Sequence, residues 1–199
     1  MTVSAIRQAL VEHLGKVLTP DIAMALEMAA VAPEDRSIDP RSFGQHQHGD
    51  YTIAAERFAS IVDELHPLHE VHWLETEHYR HGLALRPDYA GMAALERNGR
   101  AIQFTVRHAG QLVGNLRVYL GTSLHTQTPY ASEDTLFLLP EHRGGFLVLA
   151  LIKFAEDALR AIGIDEFRVN SKLVNNADVL MRRRRYTPAA LQFVKFFQE

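Results

Sequence analysis

The sequence predicts a mixed α/β fold, a sheet flanked by helices, and three stretches carry that expectation. Residues 135–139 form a short apolar run ended by Pro140, the signature of a strand covered on both faces. A turn, Arg143-Gly144-Gly145, follows it. From Leu149 the residues Ile152, Ala155, Leu159 and Ile162 then fall on one stripe, with Lys153, Glu156, Asp157 and Arg160 off it: a helix laid on a sheet and closed by Gly163. Residues 101–108 and 112–120 alternate apolar with polar positions around Ala109-Gly110, which makes them a hairpin with one buried face.

Residues 4–16 can form a helix, and a second is well punctuated by Thr19 as N-cap, Pro20 at the first helical position, Asp21 in the first turn and Pro33 as a stop. Residues 33–50 carry Pro40, Gly44 and Gly49 among polar residues and read as a linker that includes His46 and His48. This divides the chain into a helical extension and linker, residues 1–48, and a main domain, residues 49–199. Residues 51–65 read as helical through Ile53, Phe58, Ile61, Val62 and Leu65, and Pro67 starts a new helix reaching about His78. Residues 88–98 make a short helix ended by Asn98-Gly99, and residues 121–132 a polar loop before the central strand. After the long helix come a strand at 165–170, a helix at 175–184 and a closing strand at 191–197.

With 47% apolar and 23% charged residues in 199, the chain has the composition of a globular protein with a proper core. A formal charge of −3 gives no reason to expect broad binding to nucleic acid or to an anionic membrane. The longest apolar run, 146–152, is too short to span a bilayer, and the start has no apolar core typical of a secretion signal. The absence of cysteine removes disulfides, thiolate metal sites and a cysteinyl-acyl intermediate, and makes the cytoplasm the default compartment. Nothing in the sequence fixes the oligomeric state, so a monomer and a homodimer both stay open.

Several residues could carry chemistry. A strand, a glycine turn and a helix in that order put unpaired backbone N–H groups at a helix start, an anion site. Glu133 and Asp134 open the central strand. Neighbours on a strand point to opposite faces, so either one is a base facing a cleft or both are solvated strand-end acids. His125 sits in the polar loop with Ser123, Thr126 and Thr128; it is a second candidate base or a plain surface histidine. His66, His69, His72, His78 and His81 crowd residues 66–81 with Glu70, Glu75 and Glu77. A solvated face, substrate contact and metal binding compete there. Metal would need a third ligand to join His69 and His72, and no metal site is assigned. Residues 182–185 are four arginines at a helix end, which suit the helix dipole or a polyanion.

Pro140-Glu-His-Arg143-Gly-Gly, between a strand and a helix, resembles the acyl-CoA signature of the GNAT superfamily of N-acetyltransferases. His-Trp-Leu-Glu at 72–75, Ser-Leu-His-Thr-Gln-Thr at 123–128, Glu-Asp-Thr-Leu-Phe-Leu-Leu-Pro at 133–140, and Lys172 with Asn175 and Asn176 further resemble a phage and prophage branch. The likeness covers roughly residues 50–199. It implies a GNAT-like mixed sheet and transfer of an acetyl group from acetyl-CoA to a small-molecule or protein amine; if phage-encoded, the chain would act in the host cytoplasm.

On this likeness, N–H groups near Leu138 and Leu139 face the acyl carbonyl, and Arg143, Gly144, Gly145 and Phe146 meet the pyrophosphate. Asn175 and Asn176 fall where a cofactor-contacting Asn is common, with helix capping as the alternative. His72, Trp73, Glu75 and Tyr79 flank the acceptor entrance. The chain departs from the family's Arg-x-x-Gly-x-Gly at Phe146 and Val148. It also has Met181 where a Tyr often protonates the leaving thiolate, with Tyr186 further along. Those departures motivate the alternative of a GNAT-like scaffold reused as a phage structural or host-interaction protein.

Overall fold

A computed structural model describes residues 10–31, 37–172 and 177–195. The chain folds as a six-stranded mixed sheet flanked by helices, with strands in sequence order. They are β1 (Gln45–His48), β2 (Tyr51–Ala55), β3 (Ala101–His108), β4 (Gln111–Thr122), β5 (Pro129–Leu138) and β6 (Glu166–Arg168). All neighbours are antiparallel except β5 and β6, which run parallel. The helices are α1 (Pro20–Val31), α2 (Phe58–Thr76), α3 (His78–His81), α4 (Tyr89–Arg97), α5 (Leu147–Ala161) and α6 (Ala177–Arg183).

Each face of the sheet has its own apolar cluster. Ile53, Phe104, Val106, Leu116, Val118 and Leu138 pack with Leu147, Leu151, Ala155 and Leu159 of α5. On the other face Phe58, Ile61, Leu65 and Leu68 of α2 pack with Leu112, Tyr89 and Met92. β4 and β5 approach closely at Gly114, where a Cβ would collide with the Leu138 side chain and the Phe137 carbonyl.

The elements with local signals match their sequence reading in place and type, although β3 and β4, read with one buried face, are buried on both, Gln103, Thr105 and Asn115 included. Thr19 Oγ1 accepts from Ile22 N–H at the start of α1. Asp88 caps α4 through Gly91 N–H at 2.9 Å. Ala109 and Gly110, at φ 48° and 81°, make the hairpin turn between β3 and β4.

Four readings are corrected. Residues 45–48, expected as linker, form edge strand β1, so the sheet begins before residue 49. Residues 51–55, expected as helix, form β2, with Ile53 opposite Val106. Pro67 does not start a helix but lies inside α2. A proline there forfeits one backbone hydrogen bond, and the buried stripe Phe58, Ile61, Leu65 and Leu68 on both sides of it holds the helix together. Residues 191–195, expected to begin a closing strand, pair with no strand, and Leu191 and Phe193 are exposed. The expected start of the helix at 175–184 lies outside the described residues, as does the beginning of the helix at 4–16.

Candidate functional site

The site is built where two parallel strands part. β5 pairs with β6 only through Tyr130 with Glu166, Ala131 with Phe167 and Ser132 with Arg168. From Glu133 to Leu138 β5 has no ladder partner on its β6 side among the described residues, and the strands part there to leave a candidate cleft. Leu139 N–H bonds Val113 O on β4 at 2.9 Å. The alternation of an antiparallel ladder therefore turns the Leu138 N–H away from β4, toward the cleft. Of the two amides expected at the acyl carbonyl, Leu139's is already spent.

Beyond Leu138 the chain makes a single 3₁₀ turn, Pro140–His142, and enters α5 through Gly144, Gly145 and Phe146. The N–H groups of Gly144, Gly145, Phe146 and Val148 have no acceptor among the described residues. A Cβ on either glycine would meet nothing within 4 Å, so the backbone faces open space. Free amides at the start of a 15-residue helix, with its dipole behind them, suit a diphosphate. The turn is held from the sheet edge, where His48 Nε2–H donates to Gly145 O at 2.9 Å and Tyr51 OH meets His142 Nδ1 at 3.1 Å. The sequence offered His48 only as a linker residue; its contact depends on β1, whose residues are all polar.

Phe146 and Val148 do not fill the turn. The Phe146 side chain is 75% exposed, and Val148 packs into the α5-face core. Phe146 nevertheless sits at φ 63°, where a β-carbon costs about 1 kcal/mol and glycine is at ease. Phe146→Gly is expected to raise stability by about 0.5–1 kcal/mol, read as a higher urea midpoint with an unchanged slope.

A bulge decides the orientation of the two candidate carboxylates. The β4–β5 register slips between Arg117 and Val118, so that Thr135 opposes Arg117, Glu133 opposes Val118 and Asp134 is the extra residue. Asp134 turns to Arg117, its Oδ2 accepting from Nη2 at 2.6 Å and Nε at 2.9 Å. Glu133 shares a face with Val118 and is 8% exposed. Its Oε2 accepts Asn170 N–H at 3.0 Å, and its main-chain O accepts Asn170 Nδ2 at 3.1 Å. Burial pushes the Glu133 carboxyl up to about 7, against the pull of the Asn170 N–H; Asp134 raises it slightly and Lys172 lowers it.

The α2 face of the opening carries His72, stacked on Phe137 with centroids 4.8 Å apart and lowered to about 4 by burial. His69, lowered likewise to about 4 by burial, meets Tyr89 OH at 3.1 Å, and His66 meets the same hydroxyl at 2.9 Å. No group of three metal-ligating side chains converges among the described residues. Glu75 binds Arg143 through two hydrogen bonds of 2.9 and 2.7 Å, while Arg143 Nε donates to Leu138 O at 2.9 Å. The Arg143 side chain thus turns toward α2, and only its backbone belongs to the turn. Lys172 pairs with Glu77, so Glu75 and Glu77 tie the end of α2 to the chain beyond each of the two parting strands.

The other expected residues lie apart. His125 is exposed in the β4–β5 turn, its N–H on Ser123 Oγ at 3.3 Å, with Pro129 and the first rungs of β5 between it and Glu133. Tyr79 is exposed on α3. Trp73 donates to Leu83 O at 2.9 Å. Asn175 and Asn176 lie outside the described residues. Met181 is buried, and Tyr186 OH donates to Glu156 at 2.9 Å. Within the arginine run, Arg182 pairs with Asp178 and Arg184 with Glu156. A separate groove, lined by Gly99, Leu120, Gly121, Pro129 and Ile164, sits at the opposite end of β5 and holds none of these groups.

Several solved structures that superpose on the chain are named as acetyltransferases. A ribosomal-protein-alanine N-acetyltransferase from Brucella melitensis biovar Abortus 2308 superposes with a TM-score of 0.58 at 20% identity, over 74% of this chain and 99% of that one. An aminoglycoside acetyltransferase from an uncultured soil metagenomic sample gives 0.60 at 16%, over 74% and 99%. Glucosamine-6-phosphate N-acetyltransferase from Arabidopsis thaliana gives 0.57 at 12%, over 74% and 99%. No protein-family model matches the chain, and no curated protein matches its sequence. The likeness establishes the fold, that of the GNAT-type acetyltransferases.

Proposed function

We propose that the chain is an acetyl-CoA-dependent N-acetyltransferase that passes the acetyl group directly to an amine. The observation that carries this reading is the row of unspent amides at the start of α5, next to the opening where β6 leaves β5, with the buried Glu133 at its apex. Gly144, Gly145, Phe146 and Val148 would hold the diphosphate through their N–H groups, and the α5 dipole would balance its charge. Acetyl-CoA, when bound, supplies an acyl thioester as the electrophile.

Glu133, poised near neutrality, takes the proton that the acceptor nitrogen loses as it forms its bond to the acyl carbon. Leu138 N–H would donate to the acyl carbonyl oxygen as negative charge develops there, which would favour departure of the thiolate. Met181 and Tyr186 give no proton to the departing sulfur, since one is apolar and the other is bound to Glu156; a thiol with an ordinary pKa of about 8.5 can leave without help.

The three neighbours are named for acting on a protein alanine, an aminoglycoside and an amino sugar phosphate, which supports a small-molecule or protein amine as acceptor here. His72, Glu75 and Tyr79, along the end of α2 and on α3, are proposed to line its approach. Asn175 and Asn176 are proposed as further cofactor contacts, and His125 as a distant, secondary base candidate. The cytoplasm as the site of action rests on the cysteine-free composition. The phage or prophage branch rests on the sequence motifs alone. Residues 1–48 are proposed as an extension to the domain, although β1 already belongs to its sheet.

Calorimetry with acetyl-CoA tests the reading. Binding is expected; no heat at millimolar cofactor would overturn it. Glu75 now occupies the Arg143 guanidinium. Glu75→Gln removes that competing anion and is expected to tighten acetyl-CoA binding by about three- to tenfold in the same titration. The pairing of Arg143, with Phe146 and Val148 at the signature positions, favours one other reading: a scaffold that has lost catalysis and binds a partner protein. Stoichiometric partner capture without dependence on CoA would support it.

A further inference from the structure

We infer that Asn170 is the positioning residue of this site, which ends the β5–β6 ladder and presents one chosen oxygen of Glu133 to the cleft. The inference rests on the acetyltransferase reading for its purpose, but its geometry stands alone. After Ser132 opposite Arg168, a parallel ladder would continue through main-chain bonds on both strands. Asn170 replaces that continuation by a crossed exchange. Its side-chain Nδ2 donates to the Glu133 main-chain carbonyl at 3.1 Å, while its main-chain N–H donates to the Glu133 side-chain Oε2 at 3.0 Å.

Two consequences follow from this exchange. The Glu133 carbonyl is satisfied without a further β rung, so the strands part at this residue with no unpaired carbonyl at the fork. Oε2 is spent on the main-chain N–H, which leaves Oε1 as the oxygen without a main-chain donor and as the atom that meets an amine proton, with the Asn170 side chain also favouring the charged carboxyl. A two-point clamp also removes the rotation that would let a buried carboxyl turn aside. The charged groups facing Glu133 are Asp134 on its own strand and Lys172 beyond β6. Lys172 is held by Glu77 of the α2–α3 junction, and Asp134 by Arg117 of β4. Val118, opposite Glu133 on β4, is apolar. Asn170 is the neutral member of this set that touches the carboxylate.

Carbon-13 NMR of the glutamate carboxyls in cofactor-free protein, with the Glu133 resonance assigned from Glu133→Gln, tests the clamp. Asn170→Ala keeps the main-chain N–H but removes Nδ2, which pins that N–H against Oε2 and itself favours the charged carboxylate, so the Glu133 midpoint is expected to rise by about one pH unit. Asn170→Ser serves the same test if the alanine variant fails to fold. In unsubstituted protein the Asn170 amide proton is expected to titrate with the Glu133 midpoint, and to lose that titration in Glu133→Gln. Unchanged Glu133 midpoints in both folded Asn170 variants, or an Asn170 amide indifferent to Glu133→Gln, would overturn the inference.

Acetyl-CoA binding by calorimetry separates this outcome from the functional one. Asn170→Ala is expected to bind acetyl-CoA as the unsubstituted protein does, because the clamp lies away from the α5 turn. A protein that binds no acetyl-CoA but shows the coupled titration loses the functional reading and keeps the clamp.

Discussion

Glu133→Gln is expected to lower turnover by about 10²–10⁴-fold, the usual worth of a positioned base, while acetyl-CoA still binds. Glutamine keeps the shape and an oxygen for the Asn170 N–H but cannot take a proton. The same residue predicts the pH profile: kcat/KM rises with pH through a limb near 7, because the ionised carboxylate is the active form. It predicts stability as well. A carboxyl whose folded value of about 7 stands above its ordinary value of 4.5 binds more protons folded than unfolded between those limits. Its contribution is therefore most favourable below pH 4.5 and is lost as the pH rises through 7. The cost of the ionised form is on the order of 3 kcal/mol, at about 1.4 kcal/mol per pH unit. Glu133→Gln should thus gain stability relative to the unsubstituted protein as pH rises from 5 to 8, the reverse of what a lost stabilising ion pair would show. Denaturant midpoints at the two pH values check this directly.

Phe104→Ala is expected to cost about 3–5 kcal/mol, a large share of a domain's stability. Phe104 has no exposed surface and lies in β3, inside the cluster that joins the sheet to α5. Its ring meets Phe154 of α5 edge-on at 6.0 Å and Phe43 at 6.2 Å. Alanine would leave a cavity under the helix whose first turn carries the proposed diphosphate site. Chemical denaturation should show a lower midpoint with little change in slope, and acetyl-CoA should bind more weakly through the loosened seat of α5. A loss below 1 kcal/mol would mean that α5 is held by contacts other than this core.

The sequence was most legible where the structure is local. The β3–β4 hairpin, the short helix α4 with its Asn98-Gly99 end and the stripe of α5 each depend on residues within a few positions of one another, and all three are found. β1 had no such signal, since Gln45–His48 is wholly polar and is a strand only because β2 pairs with it. Ile53 fits either a helix stripe or a strand, and the decision comes from Val106, far along the chain. The alternation at 191–195 promised a strand, but alternation supplies no partner, and none of the described strands takes it.

The candidate site divides in the same way. Glu133, Asp134 and the glycine turn can be named from the sequence. Which carboxylate is free cannot, because a one-residue bulge opposite Arg117 gives Asp134 to that arginine and leaves Glu133 at the fork. The partner of Arg143 is 68 positions away in α2, and the Asn170 clamp on Glu133 spans 37. Such contacts exist only once the sheet has formed.

On the proposed function, main-chain amides at the head of α5 and on the open edge of β5 receive acetyl-CoA. Backbone amide NMR during an acetyl-CoA titration measures this most directly. Saturable shifts are expected, centred on Leu138, Gly144, Gly145, Phe146 and Val148, with Glu133 and Asn170 following when the acetyl group is present and not with coenzyme A alone. Amides there that stay still at millimolar acetyl-CoA, or shifts gathered in the groove at Gly121 and Pro129 instead, would contradict it.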